Sequence, residues 1–155
     1  MDQTAPRTEF IIGESAHISK TVSDADVELF AKVTGDYNPV HLDEEFATNT
    51  RFKGRIAHGL LSAGLISAVL GTKLPGSGSI YLSQSLRFIH PVRIGDRLTA
   101  EVIVTDWNSS KKIVRLDTRC FNQDDVNVLT GQAVLLVEFG LAVNHSDTNA
   151  DQSGL

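Results

Sequence analysis

The sequence is poor in cysteine, aromatic residues and basic charge. The shortages of cysteine and of basic charge each argue against a class of protein. One cysteine in 155 residues excludes an internal disulfide, which favours a reducing compartment such as the cytoplasm. A net charge of −5 at pH 7 argues against a general binder of nucleic acid or anionic membranes. Aromatic residues make up only 6% of the chain, but its 41% hydrophobic content is enough for one globular core.

Long hydrophobic runs are also missing. The longest uncharged stretch, GLLSAGLISAVLG, is shorter than the roughly 20 apolar residues that a membrane-spanning helix needs. The start of the chain, MDQTAPRTEF, has no apolar stretch preceded by positive charge, so we expect no secretory signal. We therefore expect an N-terminal tail over residues 1–10, a single domain over 11–141 and a polar, disordered tail over 142–155.

The first half of the chain predicts helices. The segment SDADVELFAKVTG has an N-cap candidate in Ser23, acidic residues in its first turn and a natural stop at Gly35. Its apolar face is expected to contain Val27, Phe30 and Val33. A short helix that begins at Asp43 is expected next. The stretch from Leu60 to Leu70 is apolar on nearly every side, which predicts a helix wrapped by other structure and ended by Gly71 and the loop after it.

From Ser79 onward, apolar residues alternate with polar ones, which predicts antiparallel strands separated by short turns. An opening strand is also predicted in AHISKTV. We therefore predict an α+β fold in which a sheet curls around one long buried helix. One face of the first late strand is expected to contain Ile80, Leu82, Gln84, Leu86 and Phe88.

The stretch GDYNPVH gathers an acid, an amide and an imidazole beside a proline. Asn38 and Pro39 favour a turn that brings Asp36 and His41 together, and a carboxylate with an imidazole can activate one water by acid–base chemistry. A structural role is the alternative, with Asp36 capping local amides and His41 as an ordinary surface or structural histidine. A metal site of Asp36, His41 and Asp43 is weak without a second histidine nearby.

A second candidate feature is AHG, where the buried helix begins. The Gly59 amide has no acceptor within the helix, and the missing side chain lets a ligand carbonyl approach it. Tight packing explains a glycine there equally well. Cys120 is expected to be a core thiol. Ser62 and Ser67 are not expected to be nucleophiles, because the sequence has no G-x-S-x-G motif. Gln84 is the polar exception on an apolar strand face. Either it lies at a solvent-exposed edge, or it points into a pocket that needs one polar group.

In this order, GDYNPVHLDEEFA, IAHGLLSAGLIS and GSIYLSQSLRFIHPVRIGD resemble the MaoC-like, (R)-specific enoyl-CoA hydratases, from about Ile18 to Phe139. The resemblance implies a hot-dog fold, with a curved antiparallel sheet around a long central helix, and a homodimer whose sheets join edge to edge. It implies reversible hydration of trans-2-enoyl-CoA to (R)-3-hydroxyacyl-CoA. No cofactor or metal is expected, because the thioester itself acidifies the α-carbon.

The resemblance also assigns roles to residues. Asp36 and His41 would hold the catalytic water and share the proton transfers, and the Gly59 amide would bind the thioester oxygen. Asn38 and Ser67 would support the catalytic pair. The acyl pocket is expected near Leu65, Leu82 and Gln84.

Three alternatives remain. A (3R)-hydroxyacyl-ACP dehydratase would share the fold and chemistry and differ in its carrier. A non-catalytic acyl-thioester binding module would give the pair only a structural role. A hot-dog thioesterase is disfavoured, because the central helix has no carboxylate. For either carrier, basic residues near the mouth of the site would be favourable. The candidates are Lys53, Arg55, Arg87 and Arg93, which are explained equally well as ordinary solvated charges.

Overall fold

The computed structural model describes residues 7–137, so the polar tail predicted at 142–155 lies outside the described residues. Nine elements follow one another in this part of the chain: β1 (Ser15–Thr21), α1 (Asp24–Thr34), α2 (Pro39–Leu42), α3 (Glu44–Thr48), α4 (Gly59–Thr72), β2 (Ser79–Phe88), β3 (Arg97–Asn108), β4 (Ile113–Phe121) and β5 (Asn127–Val137). None of the helices in residues 7–137 is long and apolar enough to cross a membrane.

Helix α1 has both predicted ends. The Ser23 side chain accepts a hydrogen bond from the Asp26 amide, and the Asp26 carboxylate accepts one from the Ser23 amide, which completes a capping box. Gly35 ends the helix with a left-handed φ of 78°. The predicted apolar face was wrong at Val33, which is 84% exposed. Ala31 is buried with Val27 instead, because residues four apart lie about 40° apart around a helix.

Helix α4 is the long apolar helix expected from the sequence, and it packs against all five strands. It extends one residue beyond the predicted stop at Gly71, to Thr72. The sheet covers one side of α4, where Ile66, Val69 and Leu70 are fully buried. The other side is exposed in the single chain, and Leu60 on that side is 57% exposed.

The five strands form one antiparallel sheet in the order β1-β3-β4-β5-β2. Strands β1 and β2 are therefore the two edges. A register shift between Tyr81 and Ser83 interrupts the pairing of β2 with β5, so the alternation of period two predicted for this strand does not continue across Leu82. The predicted α+β architecture, an antiparallel sheet curved over one long helix, is confirmed.

The core lies between α4 and the inner face of the sheet. The buried side chains of the central strands alternate, as in Leu98, Ala100, Val102 and Val104 of β3. Cys120 is fully buried among them, and burial raises the pKa of its thiol to about 12, which fits the expected core thiol. Phe10 also belongs to the core, so the tail boundary predicted at residue 10 leaves out a core residue.

Candidate active site

The turn after α1 is more regular than the sequence predicts. The Asp36 Oδ1 atom accepts a hydrogen bond of 3.2 Å from the Asn38 amide, and Asn38 Oδ1 accepts one of 3.3 Å from the Val40 amide. Asn38 is thus the N-cap of α2, with Pro39 as the first helical residue. His41 stands on this one-turn helix, so a helix rather than an irregular loop positions its ring.

His41 is buried, and its tautomer follows from its partner. The ring Nδ1 lies 2.8 Å from the carbonyl oxygen of Ile56. A carbonyl can only accept, so Nδ1 carries the hydrogen and Nε2 carries a lone pair. Burial above all lowers the pKa of His41 below its ordinary value, and the His58 ring adds to this; the Ile56 carbonyl and the Asp36 carboxylate oppose it. The lowered pKa favours the neutral form of His41, which can accept a proton at Nε2.

His58 is a second histidine at the site, and no role for it was predicted from the sequence. Its ring centroid lies 3.9 Å from that of His41 and 4.7 Å from that of Phe30. Its Nε2 donates a hydrogen bond of 2.9 Å to the main-chain oxygen of Asp36. The sequence did contain one indication of a role for His58, which is its position in AHG directly before the apolar helix α4. A side chain at the N-cap of a buried helix is expected to be buried with that helix.

Gly59 is the first residue of α4, so its amide has no acceptor within the helix. A Cβ at this position would lie 2.6 Å from the Phe88 Cε1 atom. The tight packing that explains this glycine is therefore its contact with the Phe88 ring. The same absence of a side chain leaves the amide open to a ligand, so the two explanations coexist.

Asp36, His41, His58 and Gly59 line one cavity of about 430 Å³. Most of its remaining wall is apolar, with Ile56, Ala57, Leu60, Phe88, Ile89 and Val92 among the lining residues. Acid–base groups thus stand at the side of an apolar cavity, which suits a ligand with a polar reacting centre and a hydrocarbon part.

Four residues that the sequence placed at the site lie outside this cavity. Ser67 is exposed on α4, and Leu65 borders a separate shallow groove against α1. Leu82 is 52% exposed on the edge strand. The Gln84 side chain donates to Thr118 Oγ1 at 2.9 Å and to the Ser85 carbonyl at 2.7 Å, so its polarity is satisfied within the sheet.

The basic residues proposed for the mouth divide into two groups. Arg55 donates to the His41 carbonyl at 2.7 Å and pairs with Asp24 at 2.6 Å. Arg93 donates to the Gly54 carbonyl at 3.1 Å and also to that of Phe52. Both therefore hold the main chain around the site. Lys53 and Arg87 are exposed, and neither lines the cavity, whereas Arg51 does.

Within residues 7–137, the group of side chains that could hold a metal ion differs from the set considered in the sequence. Asp43 caps α3 by accepting from the Phe46 amide at 2.9 Å. Asp36, His41 and His58 instead have ligand atoms within 4.8 Å of one another. Each imidazole already donates one N–H to a carbonyl, so each offers only its other nitrogen to a ligand.

Comparison with known proteins identifies the family of this chain. Residues 10–123 match the family described as MaoC like domain. The (R)-specific enoyl-CoA hydratase of Rhodospirillum rubrum is 53% identical over 125 residues, which cover 81% of this chain and 86% of that protein. The 3-hydroxybutyryl-CoA dehydratase of Methylorubrum extorquens is 49% identical over 126 residues, covering 81% of this chain and 80% of that one.

A solved structure gives the same result. The (R)-hydratase from A. caviae involved in PHA biosynthesis has a TM-score of 0.81 at 46% identity, covering 83% of this chain and 98% of that one. Sequence and fold thus agree over most of both proteins. The chain therefore belongs to the MaoC-like (R)-specific enoyl-CoA hydratase family.

Proposed function

We propose that this protein is an (R)-specific enoyl-CoA hydratase, which adds water reversibly to a trans-2-enoyl-CoA to give the (R)-3-hydroxyacyl-CoA. The observation that carries this function is the placement of the His41 ring beside the Asp36 carboxylate in an apolar cavity, with its Nδ1 hydrogen-bonded to the Ile56 carbonyl. Burial lowers the pKa of His41, which favours its role as a base. The names of the relatives at 48–53% identity support the same reaction. This reaction makes the enzyme a lyase.

The first step is assigned to His41. A water held between Asp36 and His41 loses a proton to the His41 Nε2 lone pair as its oxygen bonds to C3 of the enoyl group. The Asp36–His41 pair then returns one proton to C2, so hydration consumes one water and leaves both side chains as they began. Asn38 supports this pair by capping the helix on which His41 stands.

The Gly59 amide is assigned to stabilise the negative charge that develops on the thioester oxygen, by donating a hydrogen bond to it. This N–H lies at the positive end of α4, and the apolar walls strengthen its interaction with an oxyanion. The acyl chain is assigned to those walls, with Ile56 and Phe88 among them. Ser67, Leu65, Leu82 and Gln84 have no support from this cavity as site residues.

A homodimer is part of the proposal. The edge strand β2 presents Ile80, Tyr81, Leu82 and Phe88 with 39–54% of their surface exposed in the single chain. Pairing two such edges would satisfy unpaired backbone groups and cover these side chains.

We also place the enzyme in the cytoplasm, because its one cysteine is a buried free thiol. As for the A. caviae hydratase, the product is proposed to feed PHA biosynthesis.

Hydration of crotonyl-CoA tests the reaction. The enoyl-thioester absorbance should fall on addition of the protein, and an (R)-specific dehydrogenase should oxidise the product. Asp36→Asn and His41→Gln should each lower kcat/KM by at least ~100-fold without loss of the folded state. A folded protein that lacks both side chains and still turns over at a near-normal rate would overturn the assignment.

A further inference from the structure

His58 contacts both members of the catalytic pair at the wall of the cavity. Its Nε2–H donates to the Asp36 main-chain oxygen at 2.9 Å, and its ring lies 3.9 Å from the His41 ring, centroid to centroid. The residue is 2% exposed, and its Nδ1 atom has almost no accessible surface. Since one nitrogen is hydrogen-bonded to Asp36 and the other is enclosed by protein, its influence on the reaction is exerted through Asp36 and His41.

The hydrogen-bond partners give the two histidines opposite tautomers. His41 donates from Nδ1 to the Ile56 carbonyl, and His58 donates from Nε2 to the Asp36 carbonyl. The lone pair of His58 is then on Nδ1. This lone pair is buried and has no partner within residues 7–137. A buried acceptor without a donor is unfavourable, so a donor close to Nδ1 is to be expected.

Ser62 supplies the matching group. Its Oγ is the second atom near the start of α4 that is buried with no partner in the described part of the chain. Ser62 follows His58 by four residues, so the two lie on the same side of the helix, and both line the cavity. A hydroxyl can donate to an imidazole lone pair, and one donor beside one acceptor would satisfy both groups.

We propose that His58 is a positioning residue for the hydration reaction, and that the Ser62 hydroxyl holds it in the Nε2–H tautomer, directly or through one bound water. In this tautomer His58 ties the main chain of Asp36 and supports the face of the His41 ring. This role rests on the proposed hydratase function and adds two residues to it. A purely space-filling residue would need neither nitrogen, and a phenylalanine would serve.

Two substitutions separate the two contacts that His58 makes. His58→Gln keeps an N–H for the Asp36 carbonyl and loses the ring, whereas His58→Phe keeps a ring against His41 and loses the N–H. We expect kcat for crotonyl-CoA to fall roughly 10- to 100-fold in His58→Phe, with KM changed less than ~3-fold, because misplaced groups slow the chemical step more than binding. His58→Gln should recover part of this loss.

Phe30→Leu is the matched control, because the Phe30 ring packs on His58 at 4.7 Å and makes no contact with the catalytic pair through a hydrogen bond. It should lower thermal stability, as the His58 variants do, yet leave kcat within ~3-fold of the wild type. Equal losses of kcat in Phe30→Leu and His58→Phe would overturn the positioning role, as would an unchanged kcat in a folded His58→Phe protein.

Imidazole ¹⁵N NMR tests the tautomer without any assay of activity. The hydrogen of His58 should be on Nε2, and the Nδ1 signal should move toward that of an unbonded nitrogen in Ser62→Ala. A hydrogen on Nδ1, or a Ser62→Ala spectrum identical to that of the wild type, would contradict the proposal. A wild-type protein that hydrates no enoyl-CoA would instead sink the proposed function, and the NMR result would still decide the tautomer.

Discussion

At the scale of single residues, the His41 environment decides how the enzyme responds to pH. Burial lowers the pKa of His41 below its ordinary 6.5, and the net direction stays downward although Ile56 and Asp36 oppose it. A base with a lowered pKa keeps its lone pair to lower pH than a free imidazole does. His41 is thus available as a base throughout the neutral range and is lost only as pH falls through the lowered value.

The first prediction concerns this pKa. An NMR titration of His41 should give a midpoint below 6.5, and kcat/KM for crotonyl-CoA should decline on the acid side over the same pH range. In Asp36→Asn the midpoint should move lower still, because the carboxylate that favours the imidazolium has gone. A His41 that titrates at or above its ordinary value would contradict the role of burial.

A second prediction separates the two reasons for a glycine at position 59. Gly59→Ala should lower both stability and kcat/KM, because its Cβ would lie 2.6 Å from Phe88 Cε1. Adding Phe88→Ala should remove the crowding and so restore stability to that of Phe88→Ala alone. If the Cβ also obstructs the thioester oxygen, kcat/KM in the double variant stays roughly ten-fold below that of Phe88→Ala. Full recovery of turnover would leave packing as the only reason for the glycine.

At the scale of elements, a helix of only four residues presents the catalytic histidine. Helix α2 depends on its N-cap, Asn38, and on Pro39 at its first position. Its far end is held from outside, because the Arg55 guanidinium donates to the His41 carbonyl. A helix this short has little stability of its own, so these contacts set the position of His41.

The third prediction tests this dependence. Asn38→Ala should lower the free energy of unfolding by about 1 kcal/mol and should also lower kcat/KM, because the loss of the cap frays the helix that carries His41. Asn122→Ala is the matched control: its side chain accepts from the Asp124 and Val126 amides, both at 3.0 Å, in the turn between β4 and β5. It should destabilise similarly in urea titrations and leave kcat/KM unchanged. Parallel losses of activity would refute a specific role for the cap.

At the scale of the whole molecule, the single chain leaves an apolar edge uncovered. Four apolar side chains of β2 are exposed, and so is one side of the central helix around Leu60. Monomeric proteins seldom expose a long apolar edge strand, because its unpaired backbone groups can pair with another chain. The proposed homodimer covers this edge.

The fourth prediction follows from it. Light scattering should give the wild type a mass about twice 16.8 kDa, and Leu82→Lys should shift it toward the monomer, because pairing would bury two lysine charges. Val126→Lys is the control, since Val126 is a 37% exposed apolar residue in the turn between β4 and β5 and does not belong to β2. A wild-type monomer, or a Leu82→Lys dimer as stable as the wild type, would exclude this interface.

Local sequence patterns determined much of this protein. The capping box at Ser23, the stop at Gly35 and the apolar run of α4 depend on residues close together in the chain, so their structures could be predicted. The order of GDYNPVH and AHG likewise identified Asp36, His41 and Gly59, which the fold brings to one cavity.

Only the tertiary structure decided which of these groups meet. The stacking of His58 on His41 and the hydrogen bond between His41 and Ile56 join residues 15–17 positions apart, and no local pattern specifies such contacts. The same holds for Gln84, whose partner Thr118 is on a strand that is distant in sequence, and for Leu82, which lies at a register shift. Local interactions form helices and turns, but the packing of the whole chain determines tautomers, burial and the shape of the cavity.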